Sequence, residues 1–257
     1  MSDYAIEVSH LGKCFLLGQR GLSRGLHQAY EEALRQVVAW LKGGRRMDDD
    51  SKKVLWALRD VNLKIRHGEI VGLVGHNGAG KSVLLKILSR ITSPTEGYAL
   101  VAGKVGSMLE VGAGFHPEFT GRENLFLAGA ILGMEPAEIR AKFDDIVAFA
   151  EVEGMLDTPV KRYSSGMYVR LAFSVAAHLD ANIMLFDEVI AVGDVNFREK
   201  CLQRIKEMAD EGRTVIFVSH NLETLREICP RTIVMNHGHI QHDGPTAAIL
   251  ESYQHPA

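Results

Sequence analysis

Residues 75–82 read Gly75-His76-Asn77-Gly78-Ala79-Gly80-Lys81-Ser82, the spacing G-x-x-x-x-G-K-[ST]. Glycines at these positions let backbone N–H groups converge on phosphate oxygens where a Cβ would obstruct them. In such a cradle Lys81 neutralises the β- and γ-phosphates of a nucleoside triphosphate, and Ser82 ligates Mg²⁺. The chemistry needs a strand before the glycines and a helix after them. Glu69-Ile70-Val71-Gly72-Leu73-Val74 reads as the buried strand, and Val83-Leu84-Leu85-Lys86-Ile87-Leu88 as the helix. The helix N-terminus adds its dipole. The plain alternative, a glycine turn with no ligand, does not require both flanks.

Two further stretches end an apolar run in polar chemistry. Ile183-Met184-Leu185-Phe186 is followed by Asp187 and Glu188. At the carboxyl end of a parallel strand Asp187 would face Mg²⁺ on Ser82, with Glu188 one step on to polarise a water. An acid that merely caps the next helix is the bland reading. Val218-Ser219-His220-Asn221 closes another such strand. There His220 could donate to the γ-phosphate and hold that water in line. Tyr163-Ser164-Ser165-Gly166-Met167 precedes a helical pattern. Small residues and hydroxyls at a helix start form an anion site, although Ser-Ser-Gly is also an ordinary cap.

The elements that must position these groups follow from periodicity and composition. The chain has 257 residues, 46% hydrophobic and 24% charged, which fits one large domain or a core with a subdomain. A net charge of −3 argues against a broad nucleic-acid surface. No run reaches the roughly 18 apolar residues of a bilayer-crossing helix, and Met1-Ser2-Asp3-Tyr4 does not read as a signal peptide. Cys14, Cys201 and Cys229 are too widely spaced for a metal knuckle and suggest a reducing compartment. Ala5–Val8 opens as a strand and Val54–Ile65 is a second one; Gly97–Val101 and Val105–Leu109 are short strands. Residues from about 112 to 162 turn helical, over Gly121–Leu132 and Pro136–Ala150. Helix and buried strand then alternate: helix Val169–Leu179, strand Ile183–Phe186, helix Phe197–Met208, strand Val215–Val218. Such alternation implies a parallel sheet with helices on both faces, into which the helical stretch is inserted. Within 16–53, Tyr30, Ala33, Leu34, Val37, Val38 and Leu41 recur at helical spacing. This helix over 27–42 packs on its own domain or meets a membrane partner.

In order, the glycine loop, the Ser164–Gly166 turn, Asp187-Glu188, Ala191-Val192-Gly193-Asp194 and His220 resemble the ATP-binding cassette (ABC) ATPases over nearly the whole chain. The resemblance implies an α/β fold. A P-loop NTPase cassette spans 1–257, with a RecA-like parallel core, an N-terminal antiparallel β part and a helical subdomain at about 112–165. It implies ATP and Mg²⁺ at a site made of Phe15, Gly75, Asn77, Gly78, Ala79, Gly80, Lys81, Ser82 and Val83. Phe15 would stack on adenine, with Trp56 as the runner-up and a core aromatic as the plain reading. Glu188, His220 and Lys81 take the catalytic roles, and Ser82, Asp187 and Glu110 the metal; Glu110 stands near the Gln of most members. Ser164, Ser165, Gly166 and Met167 would close on ATP held by a second copy, with Asp194 at the seam of a head-to-tail pair.

Departures from the common pattern narrow the resemblance. Tyr163-Ser164-Ser165-Gly166-Met167, Thr120-Gly121-Arg122-Glu123-Asn124 and Asp187–Asp194 look like the ATPase of bacterial polysaccharide exporters for O-antigen, capsule and teichoic acid. By implication the partners are a polytopic membrane permease gripped by the 112–162 helices, and the lipid-linked glycan that it handles. The place is the cytoplasmic face of the inner membrane, and nucleic acid is not expected. The loop and helix insertion at 16–53 also fits this group. With the chain stopping at Ala257, a C-terminal carbohydrate-binding domain is not expected. The alternatives are the ATPase of an importer or drug exporter, and, further off, a soluble ABC protein of DNA repair or translation.

Overall fold

The computed structural model describes residues 3–16, 54–108, 112, 114–187 and 194–254. The helix expected at 27–42, Glu110 and Glu188 lie outside them. The first half runs β1 (Tyr4–Leu16), β2 (Val54–Arg66), β3 (Ile70–Val74), α1 (Lys81–Leu88), β4 (Glu96–Val101), β5 (Val105–Met108), α2 (Gly121–Ile131) and α3 (Pro136–Ala150). The second runs α4 (Ser165–Ala177), β6 (Ile183–Asp187), α5 (Val195–Asp210), β7 (Thr214–Val218), α6 (Leu222–Ile228), β8 (Arg231–Asn236), β9 (His239–Pro245) and α7 (Thr246–Gln254).

Two sheets form. One is antiparallel in the order β2-β1-β4; the other has the order β5-β6-β7-β3-β8-β9. The second is parallel except for β9, which pairs antiparallel with β8 at the edge. Every residue of β3 and β7 is buried, as expected of strands covered on both faces. β1 reaches Leu16, well beyond the expected Ala5–Val8. The alternation breaks because the register shifts between Val8 and Leu11, where His10 takes a φ of 46°, while pairing to β2 continues on the far side. The stretch after His220 carries two strands and two helices that no sequence pattern announced. In β9, His-Ile-Gln-His-Asp-Gly-Pro, Ile240 is the one strongly apolar side chain, and its partner strand supplies what its composition does not.

The core has two layers. Between the sheets, β1 and β2 pack with α1 on one face of the parallel sheet through Ile6, Leu58, Leu85, Leu185 and Ile216. On the other face the insertion and α4–α7 pack on Phe173, Phe186 and Phe217. Phe173 of α4 stacks on Phe186 of β6 at 5.7 Å, and Phe149 of α3 meets Phe173 at 6.1 Å and Phe197 of α5 at 5.8 Å. Each such pair adds about 0.5–1.5 kcal/mol beyond its buried area. These rings therefore fix the helical insertion and the Ser164 turn against the strand that carries Asp187.

Candidate functional site

Strand order converges the polar residues. β6, β7 and β3 are consecutive neighbours, all parallel, so their carboxyl ends share one edge of the sheet. Asp187 pairs in register with Val218, and Val218 with Leu73. The glycine loop after β3, Asp187 at the end of β6 and His220 just after β7 are thereby level. They line one cavity of about 570 Å³ with Phe15, Leu55, Trp56, Ala57, Asn77–Val83.

The loop geometry is that of an anion cradle. Gly80 caps α1 in a left-handed conformation (φ 103°), and no side chain caps the helix, which leaves its first N–H groups without an intrahelical acceptor. At Gly75 a Cβ would meet the carbonyl oxygen of Met235 at 2.2 Å, so only glycine lets the loop pass this close to β8. Lys81 and Ser82 are the first two residues of α1, which begins two residues earlier than the apolar run suggests. Lys81 is buried, and its Nζ donates to the carbonyls of Gly75 (2.5 Å) and His76 (3.1 Å), which aims it into the loop. Ser82 Oγ donates to Asp187 Oδ2 at 3.3 Å. Two hard oxygen donors on one spot match the preference of Mg²⁺ for hydroxyl and carboxylate ligands. Phe15 and Trp56 both line the cavity, on the end of β1 and the start of β2. Phe15 is exposed, with Lys13 Nζ 5.4 Å from its ring; Arg59 lies 5.7 Å from Trp56. The geometry keeps both as candidates for stacking on a base.

Ser164 to Met167 and Asp194 do not line that cavity. Ser165, Gly166 and Met167 form the first turn of α4 rather than a loop before it. Ser164 caps that helix, its Oγ accepting from Met167 N at 3.2 Å. A hydroxyl that accepts still has its hydrogen to donate, and Ser164 and Ser165 are exposed. Asp194 caps α5 by accepting from Phe197 N at 3.0 Å, and its other oxygen takes Arg170 of α4. The Phe197 N–H, then Arg170, hold its carboxyl below the usual carboxylate range. Arg170 also reaches Glu151 at 2.7 Å and lies 4.9 Å over the Phe197 ring. The Ser164 helix and the start of α5 are thus tied together within one copy.

Sequence patterns gave no role to three residues here. Asn124 was legible only as part of Thr120–Asn124. It is wholly buried in α2 and binds the carbonyls of His116, Phe119 and Thr120 while accepting from His116 N. Tyr168 and Leu55 carry no spacing signal at all, since their contacts are made across the fold. A second cavity, of about 380 Å³, opens between α2, α4 and the end of α1. Ala128, Ile131, Leu132, Phe115, Ala172 and Ala176 make it apolar. Ser107 also lines it, and its Oγ is the one buried side-chain polar atom without a hydrogen-bond partner among the described residues.

The family model described as ABC transporter matches residues 58–191. The O-antigen export system ATP-binding protein RfbB of Myxococcus xanthus is 41% identical over 231 residues, covering 90% of this chain and 52% of that protein. The protein of the same name from Klebsiella pneumoniae is 41% identical over 198 residues, covering 77% of this chain and 80% of its own length. The chain therefore spans only about half of the Myxococcus relative. A solved dimeric ATP-binding cassette, in a post-hydrolysis state bound to ADP and phosphate, superposes with a TM-score of 0.72 at 22% identity, over 94% of this chain and 98% of that one. At that identity the likeness speaks for the fold.

Proposed function

The chain belongs to the ABC transporter family, and from that premise we propose that it binds and hydrolyses ATP as a head-to-tail pair, driving export of a lipid-linked polysaccharide of O-antigen type through a separate membrane permease. The observation that carries the reading is the convergence of Lys81, Ser82, Asp187 and His220 on one cavity at the carboxyl edge of the sheet. Ligands of open α/β sheets bind outside that edge. The export names of the relatives support the polysaccharide assignment.

Lys81, already aimed into the loop, neutralises the triphosphate, and the open N–H groups of α1 hold its oxygens. Ser82 and Asp187, together with Glu110, would hold Mg²⁺. When bound, the ion offsets charge that develops on the phosphates. Glu188, the residue after Asp187, orients the attacking water, and His220 donates to the γ-phosphate. The turn of Ser164, Ser165 and Gly166 in one copy, its serines exposed, seals the ATP of the other, with Met167 behind it and Asp194 at the seam. Phe15 or Trp56 stacks on adenine. The apolar cavity beside α2 suits a short helix of the permease, which would place the chain on the cytoplasmic face of the inner membrane.

Glu188→Gln tests the reading. Loss of a general base costs roughly 10²–10⁴ in rate. The variant is expected to bind ATP at wild-type affinity, hydrolyse it at least 100-fold more slowly and run as a pair in gel filtration with ATP. Turnover at the wild-type rate would remove Glu188 from its role. ATP affinity unchanged in Lys81→Ala would remove the site itself.

A further inference from the structure

Tyr168 stands one turn into α4, and its backbone N–H donates to Ser164 O at 3.0 Å, the bond that opens the helix. Its side chain leaves the serine turn and crosses to the segment that follows β5. The Tyr168 hydroxyl donates to the Gly112 carbonyl at 3.3 Å, an oxygen that also accepts from Phe115 N at 2.8 Å. The Phe115 ring meets the Tyr168 ring edge-on, with centroids 5.0 Å apart. Gly112 has a φ of 70°, and a Cβ there would lie 2.3–2.5 Å from Tyr168 Oη, Cε1 and Cζ. The glycine therefore serves two demands at once: a left-handed turn and a seat for the tyrosine ring. Met108, where β5 ends, precedes Gly112 by four residues, and β5 lies beside β6, which carries Asp187.

We propose that Tyr168 is a positioning residue for ATP hydrolysis. Its ring, packed on Gly112 and Phe115, makes the serine turn and these two residues move as one piece. Phe115 also lines the apolar cavity between α2 and α4, so an occupant pressing on Phe115 bears on Tyr168, and through it on Ser164. Tyr168 is not among the residues that line the nucleotide cavity; it acts through the two segments it joins. This rests on the hydrolytic reading of the site and extends it to how the closing turn is held.

The test compares the wild-type chain with Tyr168→Phe, which keeps the ring, and Tyr168→Ala, which removes it. The readouts are kcat and KM for ATP hydrolysis, ATP affinity by calorimetry and the melting temperature. Tyr168→Phe is expected to lower kcat by roughly threefold, within the range one lost hydrogen bond spans. Tyr168→Ala should lower it by about tenfold or more, with ATP affinity within about twofold in both variants, since only transition-state placement is lost. Combining Tyr168→Ala with Phe115→Ala should cost no more than Tyr168→Ala alone, because coupled neighbours are not additive. Losses that fall on ATP affinity, or multiply in the double variant, overturn the proposal. If Tyr168→Ala does not fold, an unchanged kcat in Tyr168→Phe overturns it. A wild-type chain that binds no ATP removes the hydrolytic reading instead, and this inference with it.

Discussion

Asn124 offers a prediction whose sign can be worked from four hydrogen bonds. Its Nδ2 donates to the carbonyls of His116 (3.1 Å), Phe119 (2.9 Å) and Thr120 (3.0 Å), and its Oδ1 accepts from His116 N at 2.6 Å. The side chain has no solvent exposure. Asn124→Ala removes about three net hydrogen bonds near 1 kcal/mol each, less what water recovers for the exposed loop, so a loss of about 2–4 kcal/mol is expected at any pH. Asn124→Asp keeps the shape and the acceptor but turns a carboxylate toward three carbonyl oxygens. Burial and that repulsion raise its pKa, by about three units for a fully buried acid. Each unit is worth about 1.4 kcal/mol, so at pH 7 the ionised form costs about 4 kcal/mol, besides about 1 kcal/mol for the lost donor. The folded state then binds more protons than the unfolded state between about pH 4 and 7, and stability relative to wild type falls by about 1.4 kcal/mol per unit as pH rises. Urea unfolding of the three proteins at pH 4.5 and 7, with the wild type subtracted, measures it. The two variants should cross: aspartate the weaker at pH 7, alanine the weaker near pH 4.5. Parallel lines, or an aspartate variant as stable as the wild type at pH 7, would refute the assignment of Nδ2 as a donor to the 116–120 loop. That loop flanks the apolar cavity, so the same variants test whether the proposed permease contact needs it ordered.

Two further expectations follow from buried polar groups. Thr246 Oγ1 donates to Cys229 O and accepts from Thr232 Oγ1 at 2.8 Å, so Thr246→Val leaves two buried groups unpaired and should cost about 1–3 kcal/mol in urea unfolding; Thr232→Val, which frees no carbonyl, should cost less. His178, at the end of α4, has its pKa lowered chiefly by burial, while its Nδ1–H donates to Ser174 O at 2.7 Å. The unfolded state takes up the proton first, so the stability this histidine contributes is present above about pH 6.5 and is lost as pH falls below it. Chemical unfolding from pH 7.5 to 5 should show that decline in the wild type and a shallower one in His178→Gln.

The sequence by itself determined the glycine loop proposed to cradle phosphate, because local spacing dictates it: Gly75, Gly78 and Gly80 follow a buried strand, and Lys81 and Ser82 open the next helix. It determined the acid after β6 and the histidine after β7 for the same reason, since an apolar run that ends in a polar residue marks a strand end. The helical character of residues 121–150 was legible, and so was the helix start at Ser164, from its small residues and hydroxyls. Only the tertiary structure decided that β6, β7 and β3 lie side by side, which brings Asp187 within 3.3 Å of Ser82 across 105 positions of sequence. It also decided that Asp194 is held by Arg170, that Tyr168 seats on Gly112, and that a strand as polar as β9 pairs with β8. Contacts of this kind are made by strand order and helix packing, and no periodicity along the chain records which distant element will become a neighbour.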